Sequence, residues 1–240
     1  TGSTNEELLS AIRTMVKENH LDGIILLYSN EQDPIIDYLY ENGILFVQIG
    51  KASQYPGETI CIDNDNILAA REAVNYLYAL GHRKIGYVGT DLKRIFSADR
   101  KAGYMLALAE NNVPFKESYY LEMPQVPKEE NDALLHFLSG NDRPTAVLVS
   151  DDILAMVLEK TAFKLHLHIP EDLSIISFNN SLFSKLSSPQ LTSIDINSRQ
   201  LGIEAASQMI NHIENPGLLA TKIIVPHFMI ERQSCAAPAD

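Results

Sequence analysis

The chain has 240 residues, of which 45% are hydrophobic and 21% charged, and it carries a formal net charge of −12 at pH 7. That length allows a large core or two compact units, and the composition is that of a globular protein. The sequence shows no signal peptide and no apolar run near the roughly 20 residues that a membrane span needs. A surface this acidic repels phosphate, which argues against nucleic-acid binding by the chain alone.

Strand-like runs and helix-like stripes alternate from one end of the chain to the other. Short apolar runs predict strands at residues 23–28, 45–49, 59–62, 84–89, 119–123, 146–149, 173–178 and 191–196, and residues 222–232 form a last extended segment. Apolar stripes of helical spacing fill the gaps between these runs.

Capping signals mark several of the predicted helices. They are Thr4-x-x-Glu7, Asp33-Pro34, Asp63 or Asp65, Pro127, Ser150 or Asp151, and Asn197-x-x-Gln200, and Gly81 and Asn111-Asn112 end two helices. Strands that alternate with helices predict an α/β fold with parallel sheets and helices on both faces. Ligands of such sheets bind beyond the carboxyl ends of the strands, in the loops after Tyr28, Gly89, Val149 and Phe178.

No catalytic, cofactor or metal motif is apparent in the sequence. The glycines of residues 81–89 lack the spacing of a dinucleotide loop, and His166-x-His168 has no thiol or carboxylate spaced to complete a metal site. Cys61 and Cys235 are expected to be reduced thiols. The chain is therefore predicted not to be an enzyme and to hold no cofactor and no metal.

Polar residues follow three of the predicted strands. Arg100 is expected in the first turn of a helix, where the helix dipole disfavours a cation. Ser150-Asp151-Asp152 offers one carboxylate beyond the one that an N-cap needs, and Phe178-Asn179-Asn180 adds amides, although turn chemistry alone explains asparagine there. A guanidinium, a carboxylate and an amide can together hydrogen-bond the hydroxyl groups of a ligand.

Six stretches in order resemble the LacI/GalR family of bacterial transcription repressors. They are Leu80-Gly81-His82-Arg83-Lys84-Ile85-Gly86, Arg100-x-x-Gly103-Tyr104, Pro144-Thr145-Ala146 with Ser150-Asp151-Asp152, Ile169-Pro170-Glu171-Asp172-Leu173-Ser174, Pro189-x-Leu191-Thr192-Ser193-Ile194, and Glu231-Arg232-x-Ser234. Together they cover almost the whole chain.

The resemblance implies a periplasmic-binding-protein-like core of two doubly wound subdomains with a cleft between them. The implied bounds are residues 1–90 with 189–216 for the first subdomain and residues 91–188 with 217–240 for the second, with crossings near Asp91, Ser188 and Pro216. A small effector in the cleft would change operator affinity. The implied effector contacts are Arg100, Asp151 and Asn179, followed by Arg94 and Phe96.

The resemblance also implies what the complete protein does. Asn179, where an aspartate is common, and the run Leu186-Ser187-Ser188-Pro189 resemble maltose-operon repressors of Gram-positive bacteria. We therefore expect a cytoplasmic homodimer with no membrane partner that responds to a sugar and binds operator DNA only through a helix-turn-helix headpiece. That headpiece and the opening strand, helix and strand of the first subdomain are absent from this chain. The alternative is an extracytoplasmic sugar-binding protein of a transport system.

Overall fold

A computed structural model describes residues 5–18, 21–28, 30–123 and 132–239. Its helices are α1 (Asn5–Lys17), α2 (Pro34–Glu41), α3 (Asn66–Ala79), α4 (Ile95–Glu110), α5 (Asp132–Leu138), α6 (Asp152–Lys164), α7 (Leu182–Leu186) and α8 (Ser198–Glu214). Its strands are β1 (Ile24–Leu26), β2 (Phe46–Ile49), β3 (Ile60–Asp63), β4 (Ile85–Gly89), β5 (Tyr120–Glu122), β6 (Ala146–Val149), β7 (Ser174–Phe178), β8 (Thr192–Asp195), β9 (Lys222–Ile224) and β10 (Phe228–Ile230). The predicted α/β fold with parallel sheets is confirmed.

The first of two compact units contains a four-stranded sheet. It comprises residues 1–64, 93–96 and 199–225, and its strands lie in the order β1-β2-β3-β9, all parallel. One of its apolar clusters joins α1, α2 and the first two strands, with Ile35, Ile36 and Leu39 of α2 fully buried. Asp33 caps α2 and Pro34 takes its first position, as predicted.

The second unit contains a six-stranded sheet. It comprises residues 65–92, 97–198 and 226–240, and its strands lie in the order β10-β8-β7-β6-β4-β5, with only β10 antiparallel to its neighbour. Ile85 and Tyr87 of β4 join an apolar cluster with α3 and α4, whereas Val88 joins another with α5 and α6. Both faces of the sheet are therefore covered, and this explains why consecutive residues of its central strands are apolar in the sequence.

The contacts divide the chain differently from the subdomain bounds that the resemblance implied. Strands β4 and β8 lie in the six-stranded sheet, although residues 1–90 and 189–216 were expected in the first subdomain. Strand β9 pairs with β3 in the four-stranded sheet, although residues 217–240 were expected in the second. Long-range pairing between strands decides these memberships, and no local signal encodes it.

Several local predictions are also corrected. Helix α4 begins at Ile95, so that Arg100 lies in its second turn and not in its first. The single extended segment at residues 222–232 is two strands in two different sheets. The Asn197-x-x-Gln200 box is wrong, because the Asn197 N–H is 2.7 Å from Asp195 Oδ1 and the Gln200 amide donates to Glu204. The predicted signals at Thr4 and Pro127 lie outside the described residues.

Helices α3 and α4 approach each other closely at Gly103. A Cβ at this position would lie 2.2 Å from the Ile67 carbonyl oxygen and 2.8 Å from the Ala70 Cβ. Only glycine therefore fits at this crossing. In the part of the chain that the structure describes, no helix combines the length and the hydropathy that a membrane crossing needs.

Candidate functional site

The strand order of the second unit contains a topological switch point. The chain runs from β4 to β5 on one side of β4, and β6 then pairs with β4 on its other side. The connections after β4 and β6 consequently leave the sheet in opposite directions and open a crevice at the carboxyl ends of the two strands. In doubly wound sheets this crevice is where ligands bind.

Arg100 extends from α4 to the end of β6. Its Nε donates to Asn66 Oδ1 at 2.9 Å and its Nη1 donates to the Ser150 carbonyl oxygen at 2.6 Å. Its guanidinium carbon lies 3.9 Å from the centroid of the Phe178 ring, and only 4% of the residue is exposed. The guanidinium is thus fixed by α3, β6 and β7 before any ligand binds.

Asp151 caps α6, the helix that follows β6. Its Oδ1 accepts from the Leu154 N–H at 2.8 Å, and its backbone is extended, as an N-cap requires. Burial raises the pKa of this carboxyl group, while the Leu154 N–H and the Arg100 guanidinium act against the rise. Since one oxygen serves the helix and the residue is partly exposed, the carboxylate can serve as cap and as ligand acceptor together.

Asn179 follows β7, the strand next to β6. Its φ is +96°, and its N–H donates to the Ile194 carbonyl oxygen at 2.8 Å. No hydrogen bond from its side chain to another described residue is found, and the residue is partly exposed. Asparagine is one of the few residues that tolerate a positive φ, so the turn and an available amide occur at one position.

The structure brings Arg100, Asp151 and Asn179 to one region of the second unit. Arg100 contacts the residue immediately before each of the other two, namely Ser150 and Phe178. The region offers a fixed cationic donor, a carboxylate acceptor and an amide that does both, which suits a ligand rich in hydroxyl groups.

Arg94 and Phe96 belong to the first unit. Arg94 forms a β-bridge with Asn30, the Glu31 N–H donates to the Lys93 carbonyl oxygen at 3.1 Å, and both predicted residues are partly exposed. This places Arg94 beside the segment that follows β1 within its own unit. Their contribution to an effector site stays a prediction.

Asp152 is an organising residue that the sequence reading did not identify. It is 1% exposed, its Oδ1 accepts from the hydroxyls of Ser177 at 2.5 Å and Ser193 at 2.9 Å, and its Oδ2 accepts from the Ser181 N–H at 2.6 Å. The carboxylate beyond the one that the N-cap needs is therefore that of Asp152, and it joins α6 to β7, β8 and the start of α7. Two adjacent aspartates give no signal of which one is buried.

A second polar network fixes the turn that carries Asn179. The Asn180 side chain donates to Asp195 at 2.8 Å and accepts from Arg232, whose Nη1 also donates to the Leu191 carbonyl oxygen at 2.6 Å. Ser234 accepts from the Thr192 N–H at 2.8 Å. Arg232 and Ser234 of the Glu231-Arg232-x-Ser234 motif therefore stabilise the turn after β7 and the start of β8.

Other polar groups have structural roles. Among the described residues there is no group of three or more histidine, cysteine, aspartate or glutamate side chains that could hold a metal ion, and His168 pairs with Asp172 at 3.1 Å. Burial raises the pKa of the Cys61 thiol and raises that of Cys235 to about 11. Both thiols stay protonated at neutral pH and are poor nucleophiles.

Comparisons with known proteins agree with this architecture. Residues 74–235 match the family described as periplasmic binding protein-like domain. Two curated relatives are each 31% identical to the chain, the HTH-type transcriptional regulator MalR of Staphylococcus xylosus over 228 residues and the HTH-type transcriptional repressor PurR of Photorhabdus laumondii over 236 residues. They match 95% and 96% of this chain, which spans 66% and 68% of their lengths.

Solved structures of similar fold are also transcription regulators. A LacI-type regulator of Bacillus cereus subsp. cytotoxis is 37% identical, with a TM-score of 0.94 over 99% of this chain and 84% of its own. A maltose operon transcriptional repressor from a Staphylococcus is 26% identical, with a TM-score of 0.85 over 95% of this chain and 81% of its own.

Proposed function

This chain belongs to the LacI family of transcription regulators, and we propose that it is the effector-binding core of a sugar-responsive repressor. The proposal rests on the position of the Arg100 guanidinium, which Ser150 and Phe178 hold at the switch point. Two partly exposed acceptors, Asp151 and Asn179, directly follow these two residues in the chain. A small ligand bound there would contact the ends of β6 and β7 together.

The ligand that these groups suit best is a neutral disaccharide, with maltose as the first choice. Carboxylate and amide oxygens accept from sugar hydroxyls, while the guanidinium and the amide nitrogen donate to them. The likeness to a maltose operon repressor supports this choice. The placement of Arg100 beside Asp151 disfavours a sugar phosphate, because the acid offsets the one cation fixed at the site in the described residues.

A purine nucleobase is the second candidate. The relative named PurR is as similar to the chain as the relative named MalR, and a flat heterocycle could use the same amide and carboxylate for its ring nitrogens.

Calorimetric titration of the chain with maltose, glucose, glucose 6-phosphate and guanine distinguishes these ligands. We expect a saturable heat of binding for maltose and no heat of binding for guanine. Saturable binding of guanine alone would show that the effector is a nucleobase and not a sugar. Binding of glucose 6-phosphate alone would make Lys93 and Arg94 the next residues to mutate.

We further propose that the complete protein is a homodimer, as two-fold symmetric operators require. Two contacting helices of the second unit, α6 and α7, expose several large apolar side chains. This α6–α7 face consists of Ile153, Met156, Phe163, Leu182, Phe183 and Leu186, which are exposed by 36% to 81%. Apolar patches of this kind mark protein interfaces, and Leu186→Asp is expected to weaken association in sedimentation experiments.

Regulation in the cytoplasm is favoured over transport by the identity of the relatives. The relatives and solved structures described above are transcription regulators. Operator binding would belong to a helix-turn-helix headpiece outside this chain. A mobility-shift assay on the complete protein with and without maltose tests the sugar response, since unchanged operator affinity would contradict it.

A further inference from the structure

A carboxyl group lies within the apolar α6–α7 face. Glu159 follows Met156 by three residues and precedes Phe163 by four, so the three side chains share one side of α6. Met156 and Phe163 are 36% and 81% exposed. An ionisable group beside exposed apolar side chains on the same side of a helix is unusual, because apolar surfaces normally exclude charge where they pack.

The Glu159 carboxyl group has a buried oxygen without a donor. Its Oε1 is inaccessible to water and forms no hydrogen bond with any described residue. A candidate donor is the Ser187 hydroxyl, which acts against the effect of burial on the Glu159 pKa. That hydroxyl has one hydrogen, and it is donated to the Phe183 carbonyl oxygen at 3.1 Å. The Oε1 atom therefore lacks the hydrogen bond that a buried charged oxygen needs.

Neighbouring charges do not compensate for this burial. The other charged or titratable groups carried by α6 and the two helices packed against it are Asp152, Lys160 and Lys164 on α6, Lys185 on α7, and Asp132 and His136 on α5. None of them contributes to the pKa of Glu159, which burial raises to about 7 with only Ser187 acting in the opposite direction. The carboxyl group therefore changes charge near neutral pH.

We propose that the α6–α7 face binds the same face of a second copy with Glu159 uncharged, so that each copy takes up a proton at Glu159 when the two associate. This rests on the proposed homodimer. A second copy would remove the remaining water around the carboxyl group, and burial of an unpaired charge is far costlier than burial of a neutral acid. The protonated form also has an O–H to donate towards the Ser187 oxygen, which the ionised form lacks.

Sedimentation equilibrium of the chain at about pH 6 and about pH 8.5 tests the proposal. The wild-type dissociation constant should rise by about tenfold or more between these values, because the ionised form must regain a proton to associate. Glu159→Gln, a neutral isostere, should associate at both pH values about as tightly as the wild type at the lower one. Glu171→Gln, a change at an exposed residue outside α6 and α7, should retain the wild-type pH dependence.

Three results would overturn the proposal, and they are separable from failure of the dimer itself. A pH dependence that Glu159→Gln retains would assign the proton to another group. Weaker association of Glu159→Gln at both pH values would show that the charged carboxylate pairs with a cation of the second copy. If Leu186→Asp leaves association intact, the α6–α7 face is not the interface, and the proposed homodimer must form elsewhere.

Discussion

The guanidinium of Arg100 lies over the ring of Phe178 with 3.9 Å between its central carbon and the ring centroid. This contact holds the guanidinium against the last residue of β7, while hydrogen bonds to Asn66 and Ser150 fix it further. The cation is thus already in place when a ligand arrives, and binding does not have to order a long side chain.

Replacement of Arg100 should reduce both ligand affinity and stability. Arg100→Ala removes a charged donor together with its hydrogen bonds to Asn66 Oδ1 and the Ser150 carbonyl oxygen, so maltose affinity should fall by about ten- to a hundredfold. Arg100→Lys keeps the charge but loses the planar fork, and we expect most of the affinity to be lost as well. Calorimetry measures both variants, with Arg71→Ala on α3 as a partly exposed cationic control. Affinity equal to wild type in Arg100→Ala would place the ligand elsewhere.

The two roles of Asp151 can be separated by two substitutions. Asp151→Asn keeps a good N-cap, so the free energy of unfolding should change little while sugar binding weakens. Asp151→Ala removes the cap as well, and urea unfolding should show a loss of about 1 kcal/mol. If Asp151→Asn binds maltose like the wild type, the carboxylate has no part in recognition.

Substitution of Asp152 should reduce the free energy of unfolding far more than substitution of Asp151. Asp152, which is 1% exposed, accepts from two buried serine hydroxyls and the Ser181 N–H, and Asp152→Ala removes this acceptor from all three. We expect urea unfolding to show a loss of about 3 kcal/mol or more, whereas Ser177→Ala, which removes one of the three donors to Asp152, should cost about 1 kcal/mol. A loss for Asp152→Ala no larger than that for Asp151→Ala would show that the network contributes little.

The stability of the wild-type chain should depend on pH through Glu159. Its folded-state pKa is raised to about 7 by burial, above the roughly 4.3 of an unfolded chain. The protonated form therefore favours folding, and its contribution is lost as the pH rises from about 4 through about 7. Melting temperatures of Glu159→Gln and wild type, taken at low protein concentration, should converge near pH 4 and diverge in favour of the variant near pH 8. A constant difference would contradict the raised pKa.

The chain by itself should not bind duplex DNA. Its 19 lysine and arginine residues are outnumbered by 31 aspartate and glutamate residues, and the resulting net charge of −12 repels phosphate. A mobility-shift assay at low salt, where electrostatic binding is strongest, is the most demanding measurement. Sequence-specific retention of an operator by the chain would refute the expectation and point to a reading surface within the core.

Local patterns in the sequence predicted much of the fold. The run Ala146–Val149 was predicted with its observed bounds, because Pro144 and Ser150 enclose a short apolar stretch. Gly81 was predicted as a helix end, and its φ of +109° shows the left-handed geometry that glycine favours. The cap at Asp33 was also identified, and Asp151 was one of the two residues predicted as alternatives for the cap of α6.

Apart from the local corrections at α4 and at Asn197, the errors concern interactions between distant segments. The membership of β4, β8 and β9 in their sheets depends on partners far away in the chain. The burial of Asp152 depends on serines that follow it by 25 and 41 residues. At the site, the candidates Arg100, Asp151 and Asn179 were taken from strand ends and family resemblance. The supporting contacts of Asn66, Phe178 and Arg232 could be found only in three dimensions.

The backbone at Asn179 limits how the ligand preference of this protein could change over evolutionary time. A φ of +96° is strained for residues with a branched or bulky side chain and is tolerated by glycine and, less readily, by asparagine and aspartate. Mutation at this position can therefore present to a ligand an amide, a carboxylate or no side chain. Substitution at position 179 can therefore change which hydrogen-bonding groups a ligand meets. A large apolar or a basic residue at this position would require a different backbone conformation of the turn.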